Sequence, residues 1–466
     1  MNQFNGKRVH FIGVGGIGMS GLAQMCKNSG AEVSGSDRGV NAPENYSIFH
    51  CLRQNGITIY PQDGSFVKHG KVDYLIYSTA IESDNPDFTA APDTPRLHRS
   101  QALFMAIESV NCRSSIAICG SCGKTTVTAM TGEALYRLKS DPVIINGGAL
   151  KCFANADHIG NYRGGTGDYL VFEADESDKS LINYQVDYAI LLNIGTDHYS
   201  KEELVELFAK FLNQVKIGAV MSRQVFELLK NQLPHHLQVT VFEDSIPASA
   251  GEWYISEYCS GGNNAKFTLN NRYNLQTHQL GAINALNMCA VTALLTLMGF
   301  EPDKAAEATA EFSGVKRRGE FIGLTTRGSM VFDDYAHNPE KITSAINTAH
   351  ERITGDVYAI FQPHGYAPMR FMKEELYKIV NPVLHPGDKF FLLEPYYAGG
   401  TSSFSPSAKE VMELWRQMGA DDRYQLGENR EQLLAQVKKI AGPDDLILIM
   451  GARDNSLPEF AMAFTR

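Results

Sequence analysis

The chain predicts an α/β protein throughout, and three observations carry that reading. Short apolar, β-branched and aromatic runs alternate with amphipathic helical patterns along all 466 residues. Several runs are uninterrupted apolar, as strands buried on both faces of a parallel sheet are. Two of them lead directly into glycine-rich turns that open helical patterns, the context in which backbone N–H groups bind phosphate. In order, strands are expected at 8–13, 74–78, 115–119, 169–173, 188–193, 330–333, 358–361, 390–393 and 446–450. The clearest helix is 201–215, where Leu204, Leu207, Phe208, Phe211, Leu212 and Val215 fall on one stripe of 3.6-residue period.

Composition bounds the function. With 44% hydrophobic and 20% charged residues the chain supports a core in each of several domains, which excludes the disordered class. Lys and Arg number 42 against 52 Asp and Glu, a net charge of -10 without a basic run, so nucleic acid is not an expected partner. No stretch reaches the roughly 18 apolar residues of a membrane span, and the start MNQFNGKRVHFIGVGG lacks a signal-peptide h-region, so no membrane partner and a cytoplasmic location are expected. Eight dispersed cysteines read as reduced thiols. At roughly 150 residues per domain the length suggests about three. Breaks at VNCRSS and GVKRRGEFIG set the expected domains at 1–110, 111–320 and 321–466.

Gly13-Val14-Gly15-Gly16-Ile17-Gly18 follows the first strand and opens a helix, so the segment from Gly15 through Gly16, Ile17, Gly18 and Met19 to Ser20 is expected to cradle a diphosphate. Asp37 in VSGSD lies 19 residues past Gly18, near the offset of a ribose-binding acid, and Ser78 is a further candidate neighbour. Gly120-Ser121-Cys122-Gly123-Lys124-Thr125-Thr126 is a shortened phosphate loop, with Ile118 where the full pattern carries glycine. Its N–H groups and Lys124 suit phosphates, and the Thr125 hydroxyl suits Mg²⁺. The C-x-x-C formed by Cys119 and Cys122 is read as incidental. Glu173 and His198 should sit at carboxyl strand ends, where α/β sheets bind ligands, with Glu173 placed to share Mg²⁺ with Thr125.

These segments together resemble the Mur ligase family: GVGGIGMSGLA, VSGSD, STAIESDNP and HRSQAL, then GSCGKTT, INGG, EADESD and NIGTDH, then GVKRR, DDYAHNP and FQPH. The resemblance runs nearly end to end. It implies a three-domain architecture: a Rossmann-like N-terminal domain for a UDP-sugar, a central ATPase-like domain, and a Rossmann-like C-terminal domain completing the ATP and amino-acid site. It implies an ATP-dependent amide ligase of peptidoglycan precursor synthesis that joins L-alanine to UDP-N-acetylmuramate through an acyl phosphate. By the same resemblance Lys124 holds the β- and γ-phosphates; Thr125 and Glu173 bind one Mg²⁺, and Glu173 with His198 a second. Asn284 and Asn287 lie near adenine, and Arg317 or Arg318 reaches ATP phosphates. Asp334 and His337 lie near the ribose and the reacting centre.

The resemblance is imperfect in informative places. The family's usual histidine before Asn284 is Ile283, and DDYAHNP departs from the alanine-adding spelling. After FQPH, Gly365 and Pro368 stand where two arginines are usual, which leaves Arg370 or Arg453 to clamp the carboxylate of the incoming amino acid. A paralogue with another amine, including a recycled tripeptide, is the nearest alternative; an NAD-dependent oxidoreductase fused to an ATPase is a more distant one.

Overall fold

The computed structural model describes residues 2–176, 180–195, 200–245, 251–262, 264–397 and 404–466. Its strands form three sheets of five, ten and six members. By contacts the chain divides into two compact units, 1–258 with 266–315, and 316–466 with 259–265.

In the first unit the five-stranded sheet runs Thr58–Pro61, Glu32–Asp37, Arg8–Ile12, Tyr74–Tyr77 and Arg96–His98, all parallel. The strand order reverses between Arg8–Ile12 and Tyr74–Tyr77, and the glycine turn after Ile12 opens onto that switch point. Ser78 follows at the carboxyl end of the neighbouring strand. The ten-stranded sheet centres on Ser114–Cys119, flanked in parallel by Tyr188–Leu191 and Tyr169–Glu173. Val143–Ile145 and the antiparallel Tyr162–Arg163 complete one edge.

Towards the other edge the expected alternation fails. After Gly218–Ser222 the sheet continues through Gln238–Glu243, Trp253–Gly261, Asn264–Leu269 and Tyr273–Thr277, with no helix among the described residues of the last four. Burial along Trp253–Gly261 alternates towards its end, the sign of a strand with one face in solvent. A search for continuous apolar runs passes over such strands. The helix at 201–215 forms as Lys201–Leu212, started by Ser200, whose hydroxyl accepts from the Glu203 N–H while the Glu203 carboxylate accepts from the Ser200 N–H.

In the second unit Met330–Asp334, Leu446–Met450, Val357–Phe361, Lys389–Leu393 and Tyr424–Gly427 are parallel neighbours, and Glu320–Leu324 adds an antiparallel edge. Apolar clusters cover both of its faces.

The first two sheets share one core. A single apolar cluster runs from Phe11, Leu22 and Leu103 to Phe172, Phe208 and Phe211. At that junction sits Asn161, fully buried, whose Nδ2 donates to the Ile17 carbonyl at 2.6 Å and the Ser20 hydroxyl at 2.9 Å, while its Oδ1 accepts from Gln24 Nε2 at 3.1 Å. The helix after the first glycine turn is thereby tied to the central sheet. Asn161→Ala removes one of the two acceptors of the buried Gln24 amide and two donated bonds to Ile17 and Ser20, and net hydrogen bonds of this kind are worth about 0.5–1.5 kcal/mol each. The variant should therefore melt several degrees below the parent in a thermal scan; an unchanged melting point would mean the tie carries no stability.

Candidate active site

The register of three parallel strands assembles the phosphate site. Ile118 pairs with Glu173 and Cys119 with Leu191, so the loops after all three strands leave the sheet at one edge. Gly120 has φ +131° and Gly123 φ +89°, and a Cβ on Gly120 would lie 3.1 Å from the Asn193 nitrogen, so both turns need glycine. Helix Lys124–Arg137 then starts with no side-chain cap, leaving the first-turn N–H groups of Lys124, Thr125 and Thr126 to an anion. Asn193 clasps the loop: its Oδ1 accepts from the Cys122 N–H at 2.8 Å, and its Nδ2 donates to the Cys122 carbonyl at 3.0 Å. The Ser121 hydroxyl accepts from the Gly195 N–H at 2.8 Å.

Around this loop the charged groups converge. Lys124 Nζ donates to the Gly120 carbonyl and to Glu176 Oε2, each at 2.7 Å, and lies 3.7 Å from Asp175 Oδ1. Burial alone would lower the Lys124 pKa, but the Glu176 and Asp175 carboxylates outweigh it and raise the value, so the amine stays a cation. Thr125 Oγ1 donates to Glu173 Oε2 at 3.3 Å, and Glu173 Oε1 accepts from the Gly147 N–H at 2.5 Å. A Cβ on Gly147 would come within 2.8 Å of that carboxylate. The paired hydroxyl and carboxylate are hard oxygen ligands, a donor set that fits Mg²⁺. His198 lies outside the described residues. Asn284 and Asn287 start the helix Ala282–Leu297, and Asn287 Oδ1 lies 3.6 Å from where a Gly123 Cβ would stand, so this helix end borders the phosphate loop. Cys119 is fully buried, and burial raises its thiol pKa well above the ordinary value.

At the first glycine turn the expected groups divide. Helix Ile17–Asn28 opens at Gly16 without a side-chain cap. Asp37 has a structural task. Its Oδ2 accepts from the Gly15 N–H at 2.9 Å and its Oδ1 from the Gly39 N–H at 2.8 Å, so it braces the turn. A Cβ on Gly15 would meet Asp37 at 2.9 Å and Phe49 at 3.0 Å, so this glycine is required by packing inside the chain and not only by a ligand. The Met19 and Ser20 side chains are buried, and the Ser20 hydroxyl is held by Ile17 and Asn161, which removes both side chains from the expected cradle. Gly18 instead faces Arg99, whose Cδ lies 3.6 Å from the position of a Gly18 Cβ.

In the second unit Arg317 is already committed. Its guanidinium donates to Asp333 at 3.1 Å and to the Gly451 and Ala452 carbonyls, and Arg318, the other arginine expected at phosphate, lies 5.1 Å over the Tyr335 ring. Asp334 accepts from the Gly319 and Ala336 N–H groups and holds the turn after its strand. His337 and His364 meet edge to face at 5.0 Å. Burial, with Lys341 nearby, lowers the His337 pKa to about 3; burial, with Arg453 and Lys341, lowers that of His364 to about 4, so both rings are neutral at pH 7. His364 Nδ1 is buried with no hydrogen-bond partner among the described residues. Arg370 is exposed and donates to the Ser405 carbonyl at 2.8 Å, whereas Arg453 is exposed at the end of the strand that pairs with the one leading to His364.

Asn193, Gly147, Asp175, Glu176 and Arg99 all lie inside the segments NIGTDH, INGG, EADESD and HRSQAL, yet none was assigned a role from the sequence. An amide or glycine at a strand end has no charge or spacing signature of its own. Only the strand register shows what it faces.

Two sheets within one unit, one carrying a phosphate loop and an Mg²⁺-type oxygen pair and the other a second glycine turn, have the make-up of a nucleotide-dependent α/β enzyme. Family models for the Mur ligase catalytic, middle and glutamate ligase domains match residues 8–108, 118–295 and 317–453. The chain belongs to the Mur ligase family. It is 31% identical to the UDP-N-acetylmuramate–L-alanine ligase of Dictyoglomus turgidum, over 97% of this chain and 95% of that one, and 30% identical to the Sinorhizobium fredii protein of the same name, over 95% and 94%. Among solved structures it superimposes on the UDP-N-acetylmuramate–alanine ligase of Thermotoga maritima with a TM-score of 0.77 at 25% identity, covering 98% of each chain. A murein peptide ligase of Psychrobacter arcticus gives 0.68 at 20% identity, covering 98% and 99%, a likeness of fold.

The lowered His364 pKa has a measurable sign. Between about pH 6.5 and 4 the unfolded chain binds a proton that the folded His364 does not, so this group withdraws stability as pH falls through that window. His364→Gln should lose less stability than the parent between those pH values in denaturation series. Parallel curves would place His364 in a solvated setting.

Proposed function

We propose that this chain is an ATP-dependent, ADP-forming ligase that joins L-alanine to the carboxylate of UDP-N-acetylmuramate. The observation that carries the reading is the convergence of Lys124, Thr125 and Glu173 on one phosphate loop, in a chain that aligns end to end with relatives of that name. In the reaction a sugar carboxylate oxygen attacks the γ-phosphorus and ADP leaves; the amine nitrogen then attacks the acyl carbon, phosphate leaves, and the amide forms with loss of a proton. Lys124 stands where the β- and γ-phosphates lie over the open N–H groups of its helix, and it exchanges Glu176 for phosphate oxygens. Mg²⁺, held by Thr125 and Glu173, would neutralise charge on the transferring group. By the family resemblance, His198, Asn284, Asn287 and Arg317 or Arg318 would contact ATP or its metal. His337 and His364, whose rings burial keeps neutral at pH 7, line the carboxyl edge of the second unit's sheet, where an uncharged imidazole can hydrogen-bond the incoming amine without repelling it. A cytoplasmic location follows from this substrate, and no helix among the described residues is long and apolar enough to cross a membrane.

Lys124→Ala removes the cation facing the transferred phosphoryl group. Such electrostatic contributions are worth about 3–4 kcal/mol, so kcat in a phosphate-release assay should fall by roughly a hundredfold or more. Near wild-type turnover would refute the loop assignment. For the amine, the free Arg453 is assigned to the amino-acid carboxylate in preference to Arg370, which already has a carbonyl partner. Arg453→Ala should raise the L-alanine KM by about tenfold, or about 1.4 kcal/mol, with the ATP KM little changed, while Arg370→Ala leaves both near the parent values. The reverse pattern would move the carboxylate site to Arg370, and a panel in which another amine outperforms L-alanine would reassign the substrate.

A further inference from the structure

One carboxylate in the first unit lies between the cations of the two glycine turns. Asp175 Oδ1 is 3.7 Å from Lys124 Nζ in the phosphate loop, and Asp175 Oδ2 is 3.9 Å from the guanidinium of Arg99. Arg99 is the first residue of helix Arg99–Glu108, and its side chain lies against Gly18 in the other glycine turn. All three side chains are partly buried: 15% of Lys124, 29% of Arg99 and 36% of Asp175 is exposed. Charges so placed are screened less than surface pairs, so their rearrangement registers in binding. Lys124 has a second acid, Glu176 at 2.7 Å, so it is not Asp175 that keeps the lysine in place. The backbone around the two turns is also rigidly joined. Asn161 grips the helix after the first turn, and its carbonyl accepts from the Asn146 N–H, next to the Gly147 that holds Glu173.

We infer that Asp175 is a counter-ion shared by the two anion sites, displaced when either the nucleotide phosphates reach Lys124 or the UDP-sugar diphosphate reaches Arg99. Because one carboxylate serves both cations, the first ligand to bind removes it from both, and the second ligand meets a cation already released. The two ligands therefore bind with positive coupling, which by linkage is the same in either order. Asp175 acts through Lys124 and Arg99 and touches neither ligand, which makes it a positioning residue. The inference rests on the proposed function, since it takes a UDP-sugar as the ligand of the first turn.

The experiment is calorimetric titration of the full chain with a non-hydrolysable ATP analogue and Mg²⁺, with UDP-N-acetylmuramate, and with each in the presence of the other. In the parent each ligand should tighten the other by about fivefold or more, the lower end of measured couplings. In Asp175→Asn, which keeps the shape and removes the charge, each ligand alone should bind several-fold more tightly than in the parent while the coupling falls towards one. A merely structural role predicts the opposite for the single affinities, which would weaken. Arg99→Gln should likewise reduce the coupling while leaving nucleotide binding within a fewfold, and it stands in if Asp175→Asn fails a melting check. Coupling retained in both variants, or absent from the parent, overturns the shared counter-ion while leaving the proposed function standing; failure of the parent to bind UDP-N-acetylmuramate at all overturns both.

Discussion

The pairing of Ser114–Cys119 with Tyr169–Glu173 on one side and Tyr188–Leu191 on the other is the constraint on which the rest of the site depends. Because all three strands are parallel and in register, their carboxyl ends are level, and the three loops that follow share one edge. The phosphate loop, Glu173 and Asn193 come from separate stretches of chain and touch only because of that register. A slip of one residue would turn Glu173 to the opposite face of the sheet and separate it from Thr125 and Gly147.

Glycine carries several of the remaining contacts, for distinct reasons. Gly120 and Gly123 adopt backbone angles that side chains rarely take, and Gly147 leaves room for a carboxylate. Gly15 is excluded from bearing a side chain by Asp37 and Phe49. The glycines that mark a ligand site by pattern are thus partly constrained by the protein itself. Internal groups engage the side chains of the phosphate site: Glu176 and Asp175 face Lys124, and Gly147 and Thr125 donate to Glu173. Their exchange for phosphate and metal would substitute one set of charge-assisted contacts for another, with Lys124 a cation throughout.

The second unit solves a different problem. Its sheet edge carries two imidazoles that burial keeps neutral, an exposed Arg453, and acids and an arginine consumed in bracing turns. Arg317 and Asp334 show how residues with ligand-type chemistry at strand ends are taken up by the backbone. Carbonyls and N–H groups left over where strands stop need partners, and a nearby guanidinium or carboxylate supplies them.

The nine apolar strands expected, both glycine turns, the helix stripe from Leu204 and the family were legible in the sequence, because each is encoded by neighbours along the chain: a run, a spacing or a period. The buried strand Gly218–Ser222 was not among them. The one-sided strands between Gln238 and Thr277 were not, since their pattern is weak without the sheet that buries one face. Lys124, Thr125 and Glu173 were legible as types at expected places, but whether Asp37, Ser20, Arg317 and Asp334 were free for a ligand was not. That depended on groups up to 141 residues away, such as Asn161 against Ser20. Local sequence determined which backbone turns and charges exist. Tertiary structure decided which of those charges are already satisfied, because an unpartnered buried polar group is costly and its partner is whatever the fold brings within about 3 Å.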